Sequence, residues 1–295
     1  QAQHDAEDFT TAEPLGRRHR NAPIAAAVAS CDVWVEVTYS YVMHAPCFKK
    51  ALANGVRYMN ICGMDAMMMA RTVSHINYDL VIKLGEVLQS KVQAADEVIV
   101  RSPAGTDLKG YNRGRKVRLS GKKATEKGYP IMLAGQISWC PIEETIEGKL
   151  VFDGALFPPL ELGKLNSPVY LTLKDGRVTD IEGGRDAQVF KRWMDDLNDP
   201  ENMPRLAHYS LGFNPGITSI TGRIVEDERV FGSIEFGIGS QGKSIMGKGW
   251  DSAGHTDGIV LNPTIILDGV ELERDGIYLD PEVRAICKEL GIKGY

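Results

Sequence analysis

The chain has 295 residues and a mass of 32.4 kDa, which suits about two domains at ~100–200 residues each. Hydrophobic residues make up 43% and charged residues 25%, which excludes a disordered, collagen-like or coiled-coil chain. Apolar runs such as Ala25–Ala29 and Ile131–Ala134 fall far short of the ~20 residues that cross a bilayer, and a net charge of −5 gives no basic field, so neither a membrane nor a nucleic-acid partner is expected.

Residues 1–22 read as a polar lead-in that carries His4, His19 and the basic cluster around Arg18. Asp32–Tyr39 alternates and is β-rich, Ala45–Asn54 reads as a short helix closed by Gly55, and Arg57–Ile61 is a second strand. Tyr78–Ala95 has a helical period through Leu80, Val81, Leu84, Leu88 and Val92, and Glu97–Arg101 is a third strand. Strands alternating with helices predict a parallel α/β layer. Residues 23–125 are therefore assigned to an N-terminal α/β domain.

Beyond it turn signals become dense. Val169–Leu173 and Arg177–Ile181 flank Asp175-Gly176, a hairpin signal, and Arg185–Leu197 is a clear amphipathic helix. Ile220–Val225, Val230–Phe236 and Thr264–Leu267 read as strands and Pro281–Leu290 as a closing helix. Residues 126–295 are expected to form an α+β domain. Five cysteines, an odd number without a Cys-x-x-Cys pair, argue against a disulfide framework or a zinc ribbon and fit a reducing cytoplasm. The sequence opens on Gln1 without a charged-then-apolar leader and is expected to begin inside a longer one.

Gly237-Ile238-Gly239-Ser240-Gln241-Gly242-Lys243-Ser244 satisfies both the phosphate-loop and the dinucleotide fingerprints. Such a loop works only where a helix starts directly after it and aims its free amides at phosphate. Here Gly247, Gly249 and Gly254 follow, each costing ~1 kcal/mol inside a helix. A glycine-rich loop packed over a pocket is the expectation, with nucleotide binding a weaker alternative.

Histidines carry the chemistry. His75 reads as a cap or surface residue, and His44 lies between a strand and a helix, the usual ligand-facing position of an α/β layer. His255-Thr256-Asp257 places an imidazole and a carboxylate on one side of an extended segment. With His208 they would form a two-histidine, one-carboxylate face that leaves open positions on a six-coordinate metal, as in non-haem Fe(II) oxygenases. Glu235 alternates among apolar neighbours, as a ligand or as the orienter of a ligand histidine would.

The ordered set Leu211-Gly212-Phe213-Asn214-Pro215-Gly216, Thr221-Gly222-Arg223, Gly232-Ser233-Ile234-Glu235-Phe236-Gly237, His255-Thr256-Asp257-Gly258 and Asp268-Gly269 resembles the C-terminal part of the aminopeptidase T/S-like superfamily. Ser102-Pro103-Ala104-Gly105-Thr106-Asp107 and Val151-Phe152-Asp153-Gly154 extend the likeness upstream. The resemblance implies an aminopeptidase T-like fold with the metal in the C-terminal α+β domain. The departures matter. Gln136 stands where the peptidases carry a metal-binding Glu, His208 where they carry another Glu, and Glu235 where they carry a His. That pattern is similar to the 2,5-dihydroxypyridine 5,6-dioxygenase branch. It implies Fe(II) held by His208, His255 and Asp257, a small aromatic N-heterocycle and O2 as substrates, and ring opening between C5 and C6 to N-formylmaleamate. A homo-oligomer is expected on the same basis. His44 is the candidate acceptor of the substrate proton, and Ser240 a candidate hydrogen-bond partner of the ring or the bound oxygen. A dinuclear metallo-aminopeptidase acting on short peptides is the alternative.

Overall fold

The computed structural model describes residues 22–37, 46–123, 125, 127, 128, 130–242 and 247–295. The chain begins with α1 (Ala22–Ser30), β1 (Val33–Glu36), α2 (Pro46–Ala53) and β2 (Arg57–Asn60). Pro46 sits at the start of α2, where a missing N–H costs nothing, and Gly55 at φ 80° turns the chain after it. The short α3 (Ala66–Met69) is capped by Asp65, which accepts from the Met68 amide at 2.8 Å. The long α4 (Tyr78–Ala94) is capped by Asn77 and buries Val81, Leu84, Leu88 and Val92, one stripe of its surface.

Strands then dominate: β3 (Glu97–Arg101), β4 (Asp107–Tyr111), β5 (Arg118–Ser120), β6 (Pro130–Met132), β7 (Gln136–Trp139), β8 (Glu147–Phe152), β9 (Ala155–Phe157), β10 (Gly163–Lys164), β11 (Val169–Lys174) and β12 (Arg177–Gly183). Helix α5 (Arg185–Asp196) buries Ala187, Phe190 and Met194. It precedes β13 (Leu206–Gly212), the single turn α6 (Ile224–Asp227), β14 (Ser233–Gln241) and β15 (Trp250–Leu261). The chain closes with β16 (Thr264–Leu267), β17 (Val270–Arg274), β18 (Ile277–Tyr278) and α7 (Pro281–Glu289). Three hairpin turns carry Asp-Gly with φ near 50° at the aspartate and 71–81° at the glycine: Asp175-Gly176, Asp268-Gly269 and Asp275-Gly276. Positive φ at both central residues matches the twist of the flanking strands.

The described residues fall into two compact units. One holds those up to Ala70 together with Ser120–Ala134. Its sheet is parallel in the order β1-β2-β6, with Trp34, Phe48 and Tyr58 packed edge to face beneath it. The other holds Arg71–Leu119 and Gly135–Tyr295. It is built on two antiparallel sheets, one ordered β10-β9-β15-β14-β13-β7-β5 and the other β12-β11-β8-β4-β3-β16-β17-β18. A Cβ on Gly258 of β15 would stand 2.4 Å from the Phe152 ring of β8, so the missing side chain lets the two sheets close on a shared core.

Three sequence expectations are corrected here. Glu97–Arg101 is a strand but not part of the parallel layer; it pairs antiparallel with β4 and β16, and β6 supplies the third parallel strand. Ile220–Val225 is not a strand. The Asp227 carboxylate accepts from the Thr221 and Gly222 amides at 2.8 Å each, and these local bonds outcompete a ladder and lead into α6. The expected strand Val230–Phe236 starts at Ser233 and continues to Gln241, so Gly237–Gln241 is a strand and not a loop over a pocket. The glycines of the fingerprint up to Gly239 thus lie within a strand and not in a loop; Lys243 and Ser244 lie outside the described residues. No helix among the described residues is long and apolar enough to cross a membrane. All five cysteines are free.

Candidate metal centre

Three neighbouring strands of the seven-stranded sheet build the site. Side chains of directly opposed residues in an antiparallel sheet share a face. His208 of β13 lies opposite Gly237 of β14, and Gly237 lies opposite Asp257 of β15. Two residues along, Gly239 lies opposite His255. The two histidines and the aspartate therefore rise from one face, around a strand whose middle positions have no side chain. Gly237 must be glycine for this: a Cβ there would stand 2.2 Å from His208 Nε2.

The three ligand atoms form a small triangle. His208 Nε2 and His255 Nε2 are 3.3 Å apart, His255 Nε2 and Asp257 Oδ1 3.0 Å, and His208 Nε2 and Asp257 Oδ1 3.4 Å. Ligand bonds of about 2.0–2.2 Å place neighbouring donors roughly 3 Å apart, so these spacings fit three donors on one cation. Among the described residues this is the group of histidine, cysteine and acidic side chains that could hold a metal ion. The side chains are 14%, 34% and 21% exposed, so the face is open to a small molecule.

The distal nitrogens are also engaged. His255 Nδ1 lies 2.8 Å from the Ser240 carbonyl, which only a protonated Nδ1 can satisfy, leaving Nε2 with its lone pair for a cation. His208 Nδ1 lies 3.3 Å from Glu235 Oε1 and 3.3 Å from Ser210 Oγ, and Ser210 donates to Ser138 of β7 at 2.9 Å. Gln136, also on β7, gives one amide nitrogen to two carboxylates, Glu228 at 2.8 Å and Glu235 at 3.1 Å. Oε1 of Glu235 is buried, and the His208 Nδ1 atom 3.3 Å away is the polar group that faces it.

The electrostatics follow. Burial lowers the pKa of His208 despite the nearby Asp257 carboxylate, keeping it neutral and able to ligate. Burial also works against protonation of His255, but Asp257 and the Ser240 carbonyl outweigh it and raise its pKa. Burial opposes ionisation of Asp257, yet the two imidazoles reverse this and hold its carboxyl well below the usual range. Burial first, then the charges of Asp257 and Glu228, push Glu235 well above it. A cation among these groups would relieve the crowding of acidic charge.

The family model for NicX, 2,5-dihydroxypyridine 5,6-dioxygenase, matches residues 2–280. The chain belongs to this family. It is a dioxygenase-family enzyme, an oxidoreductase of pyridine-ring cleavage. Among solved structures it is similar to 2,5-dihydroxypyridine dioxygenase from Pseudomonas putida, with a TM-score of 0.75 and 20% identity over 93% of this chain and 79% of that one. It is also similar to wild-type AmpT from Thermus thermophilus, with a TM-score of 0.66 and 13% identity over 94% of this chain and 85% of that one. The fold is thus a mixed α/β arrangement of AmpT-like type, with one small parallel and two antiparallel sheets. No curated protein sequence matches the chain.

For a member of this dioxygenase family, the structure brings His208, His255, Asp257 and Glu235 together. Ser240 reaches the site through its carbonyl; its hydroxyl is taken up by the Ser252 backbone, donating to the carbonyl at 3.2 Å and accepting from the amide at 2.9 Å. His44 lies outside the described residues. Ser138, Ser210 and Glu228 were not singled out by sequence reasoning. The alternation Gln136-x-Ser138 and His208-x-Ser210 is the signal that could have found two of them.

Proposed function

We propose that the chain is a mononuclear Fe(II) dioxygenase that converts 2,5-dihydroxypyridine and O2 to N-formylmaleamate, with His208, His255 and Asp257 as the iron ligands. The observation that carries the reading is the triangle of Nε2, Nε2 and Oδ1 on one open sheet face, with both distal imidazole nitrogens turned onto protein acceptors. When bound, ferrous iron supplies redox activation of dioxygen beside an electron-rich ring, through the coordination positions that a three-ligand face leaves open.

The protein's own groups do the rest. Ser240 holds His255 in the tautomer that ligates, and Glu235, anchored by Gln136, does the same for His208. The half-buried face admits a flat substrate while the sheet excludes solvent from behind. Both oxygen atoms enter the product, so the ring hydroxyl must give up a proton, and His44 is the acceptor proposed from its place in the sequence. The cysteine usage supports a reducing cytoplasm, and the resemblance to the family a homo-oligomer.

Oxygen uptake by anaerobically purified, Fe(II)-loaded chain given 2,5-dihydroxypyridine tests the reading, with metal counted per chain. One O2 consumed per ring and one iron per chain are expected, with His44→Ala slowing turnover while iron stays bound. Two zinc ions with peptide hydrolysis and no oxygen uptake would instead establish the aminopeptidase alternative. Unchanged turnover in His44→Ala would reject that residue's role alone.

A further inference from the structure

We infer that Phe157 is the aromatic wall against which the substrate ring stacks, and so a residue that sets specificity for flat heteroaromatic rings. The inference rests on the ring-cleavage reading above and deepens it. Phe157 ends β9, and its register partner is Asp257. Directly opposed residues point to the same face with Cβ atoms about 4.5–5.5 Å apart, so the phenyl ring rises beside the carboxylate ligand. Gly237 and His208 flank Asp257 on the other side of that row.

Two further observations single it out. The neighbouring Leu156 turns to the opposite face and is fully buried, as a strand residue packed into the core should be, whereas Phe157 remains partly exposed on the metal face. Its ring also pairs with no other aromatic ring among the described residues, unlike those of Trp139, Tyr209 and Phe236 in the same sheet. A large apolar side chain left unpaired beside an open metal face is a surface waiting for a ligand, and offset or edge contact with a flat ring is the interaction it offers.

Its position is held firmly. The Thr256 hydroxyl donates to the Pro158 carbonyl, Gly258 pairs with Leu156, and the Gly154 amide donates to the Ile259 carbonyl at 3.0 Å. A wall fixed to the strand that bears His255 and Asp257 keeps a stacked ring in constant relation to the ligand atoms, which is the geometric need of a positioned reaction.

The test uses iron-loaded wild type, Phe157→Leu, Phe157→Ala and Phe157→Tyr. Steady-state oxygen uptake, metal content, and anaerobic binding of 2,5-dihydroxypyridine followed by its absorbance are the three readouts. Phe157→Leu, which keeps apolar volume and loses the π face, is expected to raise KM and the anaerobic Kd about tenfold, with kcat changed less and one iron retained. Phe157→Ala should do the same more strongly, and Phe157→Tyr should restore both constants. Leu and Ala variants that bind and turn over the ring like wild type would overturn the inference. So would loss of iron in parallel with loss of binding, because Phe157 would then merely support Asp257. Failure of the wild type itself to bind or oxidise the ring would instead bring down the reading on which the inference rests.

Discussion

A single missing side chain makes the metal face possible. Gly237 is the middle of the row Asp257–Gly237–His208, and the space a Cβ would take is occupied by the His208 imidazole. Gly237→Ala is therefore expected to push His208 off its station and weaken metal binding at least tenfold, with the circular-dichroism spectrum unchanged. Metal titration of the two proteins checks this; equal affinity would show that the imidazole has room to move. The His255-x-Asp257 pair was legible in the sequence because the strand period of two puts both on one face. The partnership with His208, 47 residues away, rested on the pattern of residue types and the family resemblance, since register and not spacing brings them together. The glycines were visible but misleading. They matched a phosphate-loop pattern, while their physical role is to leave a floor without side chains.

At the level of elements, local signals were legible and pairings were not. The helix caps at Asn77 and Asp280 and the Asp-Gly hairpins act within a few residues, so the sequence carries them directly. Glu97–Arg101 reads as a strand on composition, but nothing within it says that its neighbours are β4 and β16, and local order alone suggested a parallel layer. The closing helix α7 offers a quantitative check. Asp280 accepts from the Glu282 and Val283 amides at 3.0 and 3.1 Å and lies 2.8 Å from Lys91 of α4. Burial raises its pKa, but the Lys91 ammonium and the amide donors more than reverse that, and its folded value is lowered. The unfolded chain therefore takes up the proton first. The stabilisation is complete above the ordinary Asp value of about 3.9 and is lost as pH falls through the lower folded value. Asp280→Ala should cost about 1 kcal/mol at neutral pH, as N-cap removals do. In urea unfolding the gap from wild type should narrow below pH 4. A gap that persists at pH 2 would place the effect in packing instead.

For the whole molecule, the site would tie stability to a bound cation. Asp257, Glu228 and the buried Glu235 concentrate acidic charge around two imidazoles, and a metal ion that binds only the folded chain stabilises it by mass action. At a hundredfold excess over Kd the gain is ~2.7 kcal/mol, or roughly 4 °C in melting temperature at the usual unfolding entropy per residue. Chelation should remove that increment, and Asp257→Ala should abolish it at the outset. Reductant should leave the melting temperature unchanged, since all five cysteines are free. Calorimetry with and without chelator decides both points. The arrangement of the chain into units was the least readable feature, because Ser120–Ala134 returns to the first unit after β3 and β4 have been laid down in the second.

His255 and Asp257 sit two residues apart on one strand, and His208 answers them from a strand two places away. A slip of one residue in β15 would turn both of its ligands to the far side of the sheet. A cation held by all three side chains would then proofread strand pairing: it would reward only the correctly threaded sheet, and a misthreaded chain would have nothing to offer it. Metal loading and quality control of the fold would then be one event.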